Sequence, residues 1–111
     1  MKPSDLEKKI EEYYKISKET SGTFDLGEKK VKEAFIKEIL KNSIGEEIYK
    51  IIQKHHPDPR ALKLLDMGCG LGGVILTCEK NNVEAVGVDI DRNAIDIAKE
   101  RVKKPENIFE A

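Results

Sequence analysis

The stretch Leu64-Leu65-Asp66-Met67-Gly68-Cys69-Gly70-Leu71-Gly72-Gly73 constrains the fold of this chain more than any other. A short apolar run, Leu62 to Met67, closes on an acid and breaks at once into the glycine turn Gly68 to Gly73. Val74 to Lys80 then reads as a helix, ended by Asn81-Asn82. An apolar run of strand length, a glycine cluster and a helical pattern together predict a strand–turn–helix unit. A strand turning sharply into a helix needs backbone angles that side chains disfavour, which is the physical reason for glycine there. A ligand lying on such a turn also needs bare backbone to approach. The helix N-terminus behind the turn offers free N–H groups and a positive dipole end, suited to a carboxylate or phosphate.

A second unit of the same kind follows. Ala85 to Val88 is an apolar run that again closes on an acid, Asp89. Asp91 is placed to cap a helix from Arg92 to about Lys103, with Ala94, Ile95, Ala98 and Val102 inward. Pro105 interrupts, and Ile108-Phe109 begins a third strand. This alternation predicts an α/β fold: the first three strands of a parallel, doubly wound sheet, in the order 3-2-1.

The chain before Arg60 reads as helices. Leu6, Ile10, Tyr13, Tyr14 and Ile16 recur at helical spacing behind a Ser4–Glu7 capping box, and Ser21-Gly22 breaks the run. A second helix places Val31, Phe35, Ile36, Ile39 and Leu40 on one side. A third is expected to open with a Ser43–Glu46 box and to carry Ile44, Ile48, Ile51 and Ile52. Pro57 and Pro59 stop it. The expected organisation is thus a helical segment over 1–60 and a partial Rossmann-like unit over 61–111.

Composition narrows the function. With 20 basic and 21 acidic residues the net charge is −1, so no global field draws the chain to nucleic acid or an anionic membrane. No apolar stretch is long enough to span a bilayer and the N-terminus is no signal peptide, so a cytoplasmic location is expected. Cys69 and Cys78 read as small buried thiols, not as a disulfide or metal site. His55 and His56 lack acid or thiol ligands at suitable spacing and read as linker residues, so no metal is expected. Tyr13 and Tyr14 could cover a cofactor, but the simpler expectation puts one in a helical core and one on the surface. The charge runs read as solvated helix faces.

Gly68, Gly70 and Gly73 also satisfy the dinucleotide fingerprint G-x-G-x-x-G, which keeps a dehydrogenase-type NAD(P)-binding unit as an alternative. Asp66 separates the two readings. A carboxylate just before the turn is badly placed beside a pyrophosphate and well placed for an ammonium or sulfonium group. Asp89 should meet the turn along the strand ends, where a carboxylate can accept from both hydroxyls of a ribose. Residues 62–102 resemble the first two strand–helix units of class I S-adenosylmethionine-dependent methyltransferases. Asp66, Gly68, Gly70 and Gly72 match the family's D-x-G-x-G-x-G, and Val86-Gly87-Val88-Asp89-Ile90 matches its second landmark.

The resemblance implies S-adenosylmethionine as cofactor. It implies that Asp66 and the glycine turn, Cys69 included, hold the methionine end. It further implies that Asp89 takes the ribose hydroxyls and that Ile90 packs on the adenine. Such domains run on through further strands that carry the catalytic groups, so catalytic residues and methyl acceptor are not assigned here. The stop at Ala111 raises a further alternative, a truncated or split-enzyme fragment acting as an interaction module. An open sheet edge would then favour self-association or a partner supplying the missing strands.

Overall fold

The computed structural model describes residues 3–21 and 28–111, with side chains described for 5–16 and 32–111. Internal contacts divide the chain into two compact units, 1–41 and 42–111. The first unit holds α1 (Pro3–Ser21) and α2 (Glu28–Lys41). Ile10 is fully buried, and the rings of Tyr14 and Phe35 lie 5.2 Å apart. Neither tyrosine of α1 lies bare on the surface: Tyr13 and Tyr14 are both half-buried. Lys32 donates to Glu11 at 2.9 Å, and that lysine holds the Glu11 carboxyl below its usual pKa. The expected cap by Ser4, the break at Gly22 and the side chain of Val31 lie outside the described residues.

The second unit runs α3 (Ser43–His55), β1 (Lys63–Met67), α4 (Gly73–Lys80), β2 (Glu84–Asp89), α5 (Arg92–Arg101) and β3 (Ile108–Glu110). Single 3-10 turns at Pro59–Ala61 and Pro105–Asn107 lead into β1 and β3. The three strands are parallel, in the order β1-β2-β3, the expected sheet seen from its other edge. Asp91 caps α5 as expected, accepting from Asn93 N–H and Ala94 N–H at 3.0 and 3.3 Å. Asn81 and Asn82 end α4, Asn82 in a left-handed conformation with φ +58°.

Alternation along the strands sorts the side chains. Leu64, Ala85 and Ile108 face a core shared with Ile75, Cys78, Ile95, Ala98 and Val102 from α4 and α5. On the other face Leu65, Met67 and Phe109 are exposed, at 60%, 77% and 50%, while Val86 and Val88 of the central strand are half-buried. Parallel strands joined by right-handed crossovers that all step the same way put both helices on one face, which accounts for this asymmetry.

In α3 the isoleucine stripe is not the buried face, and the expected capping box is corrected. Its buried residues are Gly45 and Tyr49, whereas Ile44 is 72% and Ile51 62% exposed. The helix is rotated so that Gly45 meets the backbone of Gly73: a Cβ at Gly45 would lie 2.6 Å from the Gly73 carbonyl oxygen. Close backbone approach at a glycine sets the face here, and hydrophobic spacing does not see it. The Ser43–Glu46 box is also not formed. Asn42 is the residue before the helix, with φ +59°, and its side chain makes no cap. Glu46 instead accepts from Lys80 at 3.0 Å, and that lysine lowers its carboxyl pKa.

Candidate functional site

The glycine turn links β1 to α4 at the C-terminal end of the sheet, where ligands of open parallel sheets sit. Gly68, Gly70 and Gly72 all have positive φ, +83°, +53° and +81°. They differ in surroundings. A Cβ built at Gly68 or Gly70 meets nothing within 4 Å, so the space over these two is open. At Gly72 it would lie 3.0 Å from the Ala98 Cβ, so this glycine lets α5 pack on the turn.

The turn is tied to β2 by backbone and by one carboxylate. Gly68 N–H and Cys69 N–H both donate to Val88 O, at 2.7 and 3.0 Å. Gly70 N–H donates to Asp89 Oδ2 at 2.7 Å, and Asp91 N–H to Asp89 Oδ1 at 2.8 Å. Asp89 therefore shapes the turn as well as facing it. A carboxylate offers about four lone-pair sites, so two such bonds leave acceptor capacity for a ligand. Asp66 pairs in register with Gly87, two residues before Asp89 on the same face of the sheet. Burial raises the Asp66 pKa, and the neighbouring charge of Asp89 raises it further. Ile90, next to Asp89, is 83% exposed at the rim.

The sites expected from sequence are thus brought to one strand-end edge: Asp66, the turn from Gly68 to Gly72, Asp89 and Ile90. Cys69 is buried, and burial with the charges of Asp89 and Asp66 pushes its thiol up to about 11. Cys78, fully buried, is likewise pushed up to about 11 by burial. Both are free thiols, and neither is ionised enough near neutral pH to act as a nucleophile. Among the described residues no His, Cys, Asp and Glu cluster could hold a metal, and no helix is long and apolar enough to cross a membrane.

Three residues escaped the sequence reading. Arg101 Nη1 donates to Leu71 O at 2.7 Å, from the end of α5 back to the turn. Asn42 Nδ2 donates to Gly73 O and to Thr77 Oγ1, both at 2.9 Å. Thr77, fully buried, donates in turn to Gly73 O at 3.3 Å. The available signal was an asparagine, which tolerates left-handed backbone, at a helix junction with a glycine three residues on.

The sheet, the glycine turn and the two acids ending β1 and β2 define a class, the Rossmann-like S-adenosylmethionine-dependent methyltransferases. Residues 3–110 match the mRNA (guanine-N(7))-methyltransferase domain. The chain belongs to that family, which implies S-adenosylmethionine as the cofactor. Among solved structures, it is similar to the PH0226 protein from Pyrococcus horikoshii OT3. Identity is 30% and the TM-score 0.53, over 64% of this chain and 32% of that one. It is also similar to a SAM dependent methyltransferase from Archaeoglobus fulgidus, with 24% identity and a TM-score of 0.45, over 60% and 29% of the two chains. The chain thus spans about a third of the length of these structures. No curated protein matches it.

Proposed function

We propose that this chain holds S-adenosylmethionine on the turn between β1 and α4 for methyl transfer to a nucleophile. The observation that carries the reading is the pairing of two acids with open backbone. Asp66 and Asp89 stand close enough for the charge of one to oppose ionisation of the other. A pyrophosphate would add to that repulsion, whereas a ligand bearing ammonium and sulfonium charge relieves it. Asp66 would take the amino group of the methionine end. The turn from Gly68 to Gly72, with Cys69 packed beneath it, would lie along that end. Asp89 would accept from the ribose hydroxyls with the lone pairs that Gly70 and Asp91 leave free. Ile90 would cover the adenine with its exposed side chain.

S-adenosylmethionine supplies an already activated methyl group, so transfer rests on in-line placement of the acceptor. This chain's own residues contribute by fixing the cofactor and by placing negative charge where the ligand is positive. The family's description names guanine N7 of mRNA as the acceptor of its members. A net charge of −1 provides no broad positive field for a polyanion, so the proposal rests on the cofactor. The free thiols suit the cytoplasmic location expected from the sequence. Calorimetric titration of the 111-residue chain with S-adenosylhomocysteine and with NAD tests the reading. S-adenosylhomocysteine should bind and NAD should not; tighter binding of NAD would overturn it.

A further inference from the structure

We propose that Asn42 is a positioning residue for the cofactor site: it locks the first turn of α4 and so fixes the exit of the glycine turn. The inference rests on the cofactor reading above. Asn42 is only 8% exposed, and it and Thr77 are the buried polar side chains among the described residues. A buried amide is costly unless its hydrogens find acceptors. Asn42 Nδ2 finds two, Gly73 O and Thr77 Oγ1, and the Thr77 hydroxyl closes a triangle on the same carbonyl. The amide oxygen lies against two glycines: a Cβ at Gly45 or at Gly73 would stand 2.5 Å from Asn42 Oδ1. The left-handed backbone of Asn42, φ +59° and ψ 38°, aims the amide into this slot.

Gly73 is the first residue of α4, directly after the left-handed Gly72. The neighbouring groups of the turn are tied as well. Gly70 N–H goes to Asp89, Leu71 O to Arg101 and Gly72 N–H to Cys69 O. Asn42 adds the hold on Gly73 O. The first N–H groups of a helix have no partner within it, and Gly72 has no side chain to cap them. Their direction therefore depends on the peptide planes of Gly72 and Gly73, and the Gly73 plane is held through its carbonyl by Asn42. Loss of the amide should loosen the part of the site assigned to the methionine end and leave the ribose end, held by Asp89, intact.

The test compares two ligands on the full chain. S-adenosylhomocysteine carries the amino-acid end; 5′-methylthioadenosine shares its adenine, ribose and sulfur and lacks that end. Asn42→Gly keeps the left-handed backbone and deletes the amide. It should weaken S-adenosylhomocysteine about tenfold, ~1.4 kcal/mol, with 5′-methylthioadenosine unchanged. Val83→Ala, a core change just before β2, at the opposite end of the sheet from the turn, serves as the control for stability loss and should leave both affinities unchanged. Equal weakening of both ligands by Asn42→Gly, or no weakening of either, overturns the proposal. If that variant shows no cooperative melt, Thr77→Val, which removes one acceptor of the amide, is read with the same outcomes. Should the wild-type chain bind neither ligand, the cofactor reading fails and amide hydrogen exchange decides for Asn42. Faster exchange in Asn42→Gly confined to Gly72 and Leu76, whose amides donate to Cys69 O and Gly72 O, supports the lock; unchanged or uniformly faster exchange overturns it.

Discussion

Replacing Gly70 by alanine separates what the turn needs to fold from what it needs to bind. Gly70 sits at φ +53°, and a Cβ there meets no protein atom within 4 Å. The cost to folding is therefore conformational. Left-handed backbone costs an L-residue roughly 1–2 kcal/mol, and the stiffer unfolded chain returns about 0.4–1 kcal/mol. A net loss of about 1 kcal/mol should lower Tm by roughly 3–8 °C for a chain of this size. The methyl group instead projects into the open space assigned to the cofactor. Overpacking by one carbon costs about 1–3 kcal/mol, or roughly 5- to 150-fold in Kd. Thermal melts and calorimetry with S-adenosylhomocysteine on the same sample read both effects. Gly72→Ala is the contrast, because its Cβ would press on Ala98 at 3.0 Å and the loss should fall mainly on stability. A Gly70→Ala chain that binds within twofold of wild type would show that the ligand does not lie over Gly70. One that fails to fold would show that the space is not open.

Two further outcomes follow from the acids. Asp91→Ala removes the side chain that accepts from Asn93 N–H and Ala94 N–H. It should cost about 1 kcal/mol of stability and little affinity, whereas Asp89→Ala should weaken S-adenosylhomocysteine at least about tenfold. The reverse order would mean the ribose acid is misassigned. Asp66 gives a pH dependence. Its folded-state pKa is raised, by burial first and by Asp89 second, so the folded chain keeps this proton where the unfolded chain has released it. Stability from this group is highest below the ordinary aspartate pKa, falls as pH rises to the raised value, and is flat above. Binding of the ammonium end runs the other way and strengthens as Asp66 ionises across the same window. Titrations at stepped pH should show that gain in the wild type and lose it in Asp66→Asn; an unchanged profile in the variant would remove Asp66 from the site.

Much of the fold was legible because glycine, proline and acids punctuate it. The run before Asp66, the glycines after it and the run before Asp89 place β1, α4 and β2 almost residue for residue. Asp91 reads directly as a cap because its acceptor reaches amides two and three residues on. The face of α3 was not legible in the same way. Ile44, Ile48 and Ile51 have helical spacing, but spacing only says that one stripe is apolar. Burial was decided by Gly45, where two backbones come close enough that a methyl group would collide with the Gly73 carbonyl. A contact made possible by a missing side chain leaves no hydrophobic signal.

The site shows the same division between what a residue type announces and what its neighbours make of it. Asp89 was readable from sequence as an acid at the end of β2 facing the glycine turn, and its two carboxylate oxygens accept from Gly70 N–H and Asp91 N–H. One oxygen thus holds the turn after β1 and the other holds the loop entering α5, so a single side chain sets the distance between the two loops that meet at the strand ends. That double hold explains why an acid suits this position better than a neutral amide. Asparagine has one acceptor oxygen and would turn its NH2 towards one of the two N–H groups, opposing donor to donor. The charge that a ribose would use is also the charge that keeps both backbone donors satisfied. Binding chemistry and turn geometry are therefore coupled at Asp89 and separable at Gly70, where the carbon a methyl would add touches no protein atom.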